Sequence, residues 1–293
     1  MIHLSPSKVD CFFGCKRLYL YRYLYKLPAE EKKHFFIGNV AHAALEFFHK
    51  KAQGLTLVCD LDGIPGAASN EVLKETLKDC WKGVFNKYEC DKKLKSGFIS
   101  KEDVLSIKEM MKKYLGFLQG KKFPSVVKLE ELHKIPLGNF TIWMKADRID
   151  SCGNNTYKIV DYKTSQKPAS EKDELGSVQI PTYGILVKSL FKNAETILGE
   201  YQYLRHLDSK GVHLYTVTQD LVDNAVAKYR EVASELSDSD ITFEKNRKYK
   251  FCRSCEYSAV CAMDECDSEI KSKEEQVKKY KRLGVDYGLQ KNG

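Results

Sequence analysis

The sequence predicts an α/β protein with a mixed central sheet flanked by helices and a helical insertion at about residues 71–120. Three observations predict it. Residues 142–150 and 156–163 carry apolar and β-branched residues on either side of the turn cluster Cys152-Gly153-Asn154-Asn155, the pattern of two adjacent hairpin strands. Residues 71–88 and 101–119 have the spacing of two amphipathic helices. Beyond the hairpin, a helix over 177–191, strands over 197–205 and 212–217, and a helix over 221–236 continue the alternation.

At the start of the chain, Ser5 or Ser7 can cap a short helix with Pro6 in its first turn. Residues 16–26 then interleave Lys16, Arg17, Arg22 and Lys26 with Tyr19, Tyr21, Tyr23 and Tyr25. That mixture can hold phosphates and stack unpaired bases, or it can be an amphipathic helix with a tyrosine-rich packing face; the pattern leaves both open. Asn39 is placed to start an alanine-rich helix on which His42 and Glu46 share a face. Residues 51–70 contain Gly and Pro and connect to the insertion, and Ser125 to Pro136 resumes strand character before the hairpin. The stretch 167–174 is polar and reads as a loop. On the helix that follows, Gln179 and Tyr183 are four apart and can reach one point, and Pro181 suits its first turn. From Asp267 the chain alternates Lys and Glu, as a solvated end does.

The 293 residues are 43% hydrophobic, enough for the core of one globular protein of one or two closely packed units. No apolar run can span a bilayer, and Met1 to Ser5 lacks the parts of a signal peptide, so no membrane partner and a cytoplasmic location are expected. A net charge of +8 favours a polyanionic partner. Ten cysteines without an export signal argue against a disulfide framework and for metal ligation. Cys252, Cys255 and Cys261 form a C-x2-C-x5-C run suited to zinc or an iron–sulfur centre, with Cys15, Cys11 or Cys266 as candidates for a fourth ligand. Cys59, Cys80, Cys90 and Cys152 show no partner spacing and read as core residues.

The hairpin strands end on charge, with Asp147 near the end of the first and Asp161 and Lys163 closing the second. Asp161 and Lys163 share one face of a strand and Tyr162 takes the other. Two carboxylates and a lysine at a sheet edge suit a hard divalent cation and the phosphate it carries, the chemistry of phosphodiester hydrolysis. An isolated Asp-x-Lys also describes a surface ion pair, so its weight comes from its surroundings.

Those surroundings resemble a known family. Gly38-x-x-x-His42-x-x-Leu45-Glu46, Asp147-Arg148-Ile149-Asp150, Asp161-Tyr162-Lys163-Thr164 and Gln179-x-x-x-Tyr183 match, in order, the motifs of the RecB-like branch of the PD-(D/E)xK nuclease superfamily. The Ser5 to Cys15 segment and the C-x2-C-x5-C run are similar to the split iron–sulfur site of its cluster-bearing members, such as the AddB nuclease domain and CRISPR adaptation nucleases. The resemblance implies a restriction-endonuclease-like core and a metal-dependent DNA exonuclease of single-stranded or frayed ends. Asp147, Asp161, His42 and the Tyr162 carbonyl would bind Mn²⁺ or Mg²⁺, Lys163 would act on the attacking water or the phosphate, and Gln179 and Tyr183 would position the strand. Cys15, Cys252, Cys255 and Cys261 would hold a [4Fe-4S] cluster. Glu130 or Glu131 is a further carboxylate, with the choice open. The implied layout is one nuclease domain over 1–266 and a charged tail over 267–293. Met144 stands where the family usually has glycine, which would narrow the backbone approach there. No G-x-x-x-x-G-K-[ST] loop occurs, so any helicase motor would be a partner's. Two other readings compete: a non-catalytic iron–sulfur DNA-binding subunit, and a zinc-stabilised structural protein.

Overall fold

The structure, a computed structural model, describes residues 2–29, 31–55, 70–119, 121, 123–249 and 251–263. The expected tail, Cys59, Cys266 and most of the 51–70 connection lie outside the described residues. The chain opens with β1 (Ile2–Leu4) and α1 (Pro6–Gly14), where Ser5 Oγ accepts from the Lys8 N–H and Pro6 occupies the first turn. α2 (Lys16–Tyr19) runs into a π-helical turn at Leu20–Leu24. Next come α3 (Lys33–Leu55), α4 (Asn70–Lys87), α5 (Cys90–Lys95) and α6 (Lys101–Leu118), the last opened by a reciprocal capping box between Ser100 and Asp103. β2 (Val126–Leu129), β3 (His133–Leu137), β4 (Phe140–Met144), β5 (Arg148–Gly153) and β6 (Thr156–Lys163) follow. The chain continues through α7 (Glu171–Gly176), α8 (Gln179–Leu190), β7 (Thr196–Tyr203), β8 (Val212–Thr216), α9 (Gln219–Ser237) and α10 (Ser258–Met263).

The strands form two mixed sheets where one was expected. The first has the order β1-β4-β3, and the second β2-β5-β6-β7-β8, with β1/β4 and β6/β7 parallel and the other pairs antiparallel. The strand expected over 142–150 is therefore two strands in different sheets, and only β5 pairs with β6. Ser125 to Pro136 splits in the same way at Glu130, whose φ of +52° turns the chain out of β2. The two crossings touch: the Glu130 N–H lies 3.2 Å from both the Ala146 and the Asp147 carbonyl oxygens. Asp161 and Lys163 also do not stand on a sheet edge, because β6 lies between β5 and β7.

Other departures have local causes. α3 starts six residues before Asn39, because Phe36 and Ile37 near its beginning are buried in the core of the helical layer. The polar stretch at 167–174 contains the start of α7, capped by Ser170 and anchored by the buried Glu174 carboxylate, which accepts from the Tyr203 and Tyr215 hydroxyls. Tyr19, Tyr21 and Tyr25 are only 2%, 1% and 2% exposed, so the 16–26 stretch is a tyrosine packing face and those rings cannot stack on a ligand.

Both faces of the five-stranded sheet are buried. Ile149, Ile159 and Tyr201 pack with α1, α8 and α9 on one side, while Val160 and Tyr162 pack with α3, α4 and α6 on the other. A Cβ at Gly199 on β7 would fall 2.2 Å from Ile180 Cγ2, so glycine lets α8 settle onto the sheet. Between the sheet and the helical layer lies a buried polar knot. Arg148 forks onto Asp150 at 2.9 and 3.0 Å, and its Nη1 lies 2.5 Å from Tyr162 Oη, 2.6 Å from Tyr114 Oη and 2.9 Å from His49 Nε2. Burial, with the Arg148 charge adding to it, pushes the His49 imidazole well down, which suits a neutral ring accepting from the guanidinium. No helix among the described residues is long and apolar enough to cross a membrane.

Removing one partner leaves a buried charge uncompensated. Arg148→Ala should lower the unfolding free energy by about 3–5 kcal/mol in urea denaturation, and the double change Arg148→Met with Asp150→Leu should recover most of it.

Candidate active site

The C-terminal end of β6 supplies the first part of the site. Strand alternation sends Asp161 and Lys163 to the α8 side and Tyr162 to the α3 side. Gln179, the first residue of α8, bridges the pair: its Nε2 donates to Asp161 Oδ1 at 2.5 Å, and its Oε1 accepts from Lys163 Nζ at 2.8 Å. Tyr183, one turn on, lies 3.3 Å from Gln179 Nε2, so the expected convergence of these side chains is found. Lys163 Nζ is 2.5 Å from Asp161 Oδ2, yet that buried oxygen receives no aligned hydrogen bond.

Asp147 lies at the crossing between the two sheets. Its Oδ2 accepts from the Tyr162 N–H at 2.8 Å and sits 3.3 Å from His42 Nδ1 on α3. Donor atoms of His42, Glu130 and Asp147 all lie within 4.8 Å of one another, a group able to hold a metal ion. The choice left open between neighbouring glutamates falls on Glu130. The left-handed turn buries its side chain to 8% exposure beside Lys145, whereas Glu131 is 52% exposed and pairs with Lys128. Met144, three residues before Asp147, is buried in β4.

His42, Glu130, Asp147, Asp161, Lys163 and Gln179 share a cleft of about 890 Å³ that Tyr162 also borders, while Tyr183 is buried and outside its lining. Its carboxylates are Glu46, Glu102, Asp103, Glu130, Asp147 and Asp161, against the cations Lys33, Lys145, Lys163 and Arg205. With His42 counted as a further cation the cleft still carries a small excess of negative charge, which a bound cation would offset before a phosphate enters. Burial alone would lower the His42 imidazole, but Asp147, with Asp161 and Glu130, overrides it and raises the group to about 9. The two buried aspartates are pushed apart. Asp147 is held below the ordinary range against its burial by His42 and the Tyr162 N–H, while burial, opposed by Lys163 and reinforced by the Asp147 charge, raises Asp161. Burial and the Asp147 charge raise Glu130 as well. A divalent ion fits this set: hard oxygen donors and one imidazole converge, and Asp161 Oδ2 lacks an aligned partner.

The cysteines meet elsewhere. Cys15, at the joint of α1 and α2, lines a cavity of about 420 Å³ with Cys252, Cys255 and Cys261. Cys11 is buried beside them in the core. Burial raises the Cys255 and Cys261 thiols. The four thiols thus share one cavity, which Arg17, Lys245 and Arg247 also line, and they are soft donors of the kind that zinc and iron take. The surrounding joint does not rest on thiols alone. Gly14 lets the Tyr249 ring approach to 2.7 Å of where a Cβ would stand, the Arg17 N–H and Nε donate to the Glu244 and Phe243 carbonyls at 3.1 and 2.7 Å, and Arg22 pairs with Glu256.

An α/β fold with mixed sheets flanked by helices, and a carboxylate cleft able to hold a cation at the end of a central strand, define the class. A family model describing the PD-(D/E)XK nuclease superfamily matches residues 3–262, and the chain belongs to that superfamily, whose nucleases use divalent metals. Similar solved structures include a candidate exonuclease from Eubacterium rectale, 10% identical over 80% of each chain with a TM-score of 0.44. Another is a protein called SSO0001, 12% identical over 89% of this chain and 86% of that one, with a TM-score of 0.37. None of the curated proteins compared matches the chain.

Sequence reasoning left out Lys145, Arg205, His34 and Phe35 from the cleft. Only Phe35 had a usable signal, its spacing of seven residues from His42, two helical turns on one face.

Mn²⁺ at about a hundredfold its dissociation constant should raise the unfolding free energy by about 2.7 kcal/mol, read by thermal or urea denaturation, and Asp147→Ala should abolish the rise. Glu130→Gly should weaken Mn²⁺ binding in calorimetry while leaving metal-free stability within about 1 kcal/mol, since the lost Lys145 pair and the relieved left-handed turn offset.

Proposed function

We propose that the chain is a metal-dependent deoxyribonuclease that hydrolyses phosphodiester bonds, working as an exonuclease on single-stranded or frayed DNA ends. The observation that carries this reading is the Gln179 bridge, which holds Lys163 beside Asp161 in the cleft where His42, Glu130 and Asp147 converge. Asp147, Asp161, Glu130 and His42, with the Tyr162 carbonyl, would hold Mn²⁺ or Mg²⁺, the imidazole favouring Mn²⁺. Such an ion supplies Lewis acidity toward a phosphate oxygen and makes bound water more acidic. Lys163 orients the attacking water or stabilises charge developing on the phosphate. Gln179, steadied by Tyr183, keeps the ammonium and the carboxylate in register and faces the strand's backbone.

The same reading places a [4Fe-4S] cluster on Cys15, Cys252, Cys255 and Cys261, supported by the shared cavity and its soft donors. Its work is structural, since it closes a loop of more than 200 residues between the two ends of one nuclease domain over 1–266. The reducing cytoplasm suits such thiols. Strand separation, where the substrate is duplex, falls to a helicase or another nucleic-acid-processing partner.

The test is an assay on end-labelled single-stranded DNA with anaerobically purified protein, in Mn²⁺, Mg²⁺ or chelator. Brown protein should degrade the strand only with metal, and Asp161→Ala or Lys163→Ala should lower the rate by at least a hundredfold while DNA binding persists. Protein that binds DNA and never cuts it would transfer the assignment to a non-catalytic subunit, and colourless protein containing zinc would remove the iron–sulfur cluster.

A further inference from the structure

Tyr19, Tyr21 and Tyr25 are buried and Tyr23 is half-buried, so the search for a ring that could meet an unpaired base turns to the cleft itself. Phe35 is 55% exposed although it borders the cleft, and His34 beside it brings its ring centroid to 4.3 Å at an interplanar angle of 44°. Phe35 contributes little to the core, because the next two residues, Phe36 and Ile37, are 3% and 6% exposed and do the anchoring. Phe35, Gly38, Asn39, His42 and Glu46 all line the cleft at helical spacing, so the ring and the His42 imidazole stand on one wall of α3. Seven residues separate them, about 10 Å along the helix axis, the span of a few nucleotides.

We propose that Phe35 and His34 form a base-stacking subsite at the mouth of the cleft, which takes one unpaired nucleobase of the strand whose phosphate lies at the His42, Glu130 and Asp147 group. The proposal rests on the nuclease reading and names the feature of the substrate that this face selects. Lys33, paired with Asp103, and Arg205, which donates to the Thr164 carbonyl and to Ser106, border the same cleft, and with a metal ion offsetting the carboxylates they are the cations left to meet flanking phosphates. A base inside a duplex has both faces covered by its neighbours and its edge held by its partner, so the subsite favours single strands and frayed ends over paired positions of a duplex.

The experiment separates the two readings. Single-stranded oligonucleotides carrying 2-aminopurine at each of the terminal positions in turn are bound in Mn²⁺ to Asp161→Ala protein, which retains the wall of α3. Quenching should appear at one position, survive Phe35→Trp and vanish with Phe35→Ala, accompanied by a roughly tenfold weaker dissociation constant. In otherwise unaltered protein, Phe35→Ala should raise KM on single strands more than it lowers kcat, with the circular dichroism melt unchanged because the ring is exposed. Quenching that is the same with and without the Phe35 ring overturns the subsite, as does Phe35-dependent quenching of equal size on a blunt duplex. Failure of unaltered protein to cleave any strand, with Phe35-dependent quenching intact, removes the nuclease reading and leaves the subsite standing.

Discussion

The main chain of Tyr162 donates its N–H to Asp147, while its phenol is gripped on the far side of the sheet by Arg148. These two bonds, at 2.8 and 2.5 Å, fix β6 from both faces at the point where it delivers Asp161 and Lys163. The guanidinium is in turn held by Asp150 and by His49 and Tyr114 from two helices of the other layer. A cleft lined by repelling carboxylates would relax outward if its floor were soft. A dehydrated knot beneath it, in which His49 Nδ1 alone of the named polar groups lacks a partner, resists that motion.

Local pattern carried much of this. Alternation along β6 places Asp161 and Lys163 on one face and Tyr162 on the other, and helical spacing brings Gln179 to Tyr183, because both depend only on neighbours in sequence. The division of residues 142–150 between two sheets was not legible, since Phe140 to Met144 and Arg148 to Gly153 are each short, apolar and strand-like and nothing local says that their partners differ. The preference for Glu130 over Glu131 was equally hidden. It follows from a left-handed residue stabilised by hydrogen bonds to Ala146 and Asp147, sixteen and seventeen positions away. The tyrosine-rich stretch shows the opposite error, in which composition offered a ligand-binding surface and burial used the same rings as core.

The cleft also explains why its charges tolerate one another before any ion binds. Lys145 pairs with Glu130, His42 with Asp147 and Lys163 with Asp161, so each of these carboxylates has a cationic neighbour, from a different stretch of chain in the first two pairs and from the same strand in the third. An arriving ion competes with these internal cations. Affinity is then set by the difference between two good arrangements.

Lys32 donates to the Ser254 carbonyl at 2.6 Å and stands 3.6 Å from Glu256, which also holds Arg22. The residue before α3 is thus fastened to the segment that carries the last three cysteines of the cavity. A ribosome releases the chain from its N-terminus, so the carboxylates of the cleft emerge well before residues 252–261 are made. Until then the first turn of α3 rests on Phe36 and Ile37 and lacks this second tether. The entry to α3 is therefore among the last parts of the cleft wall to be fastened, and synthesis itself sets a delay between making the cleft's carboxylates and tying down the helix that carries His42.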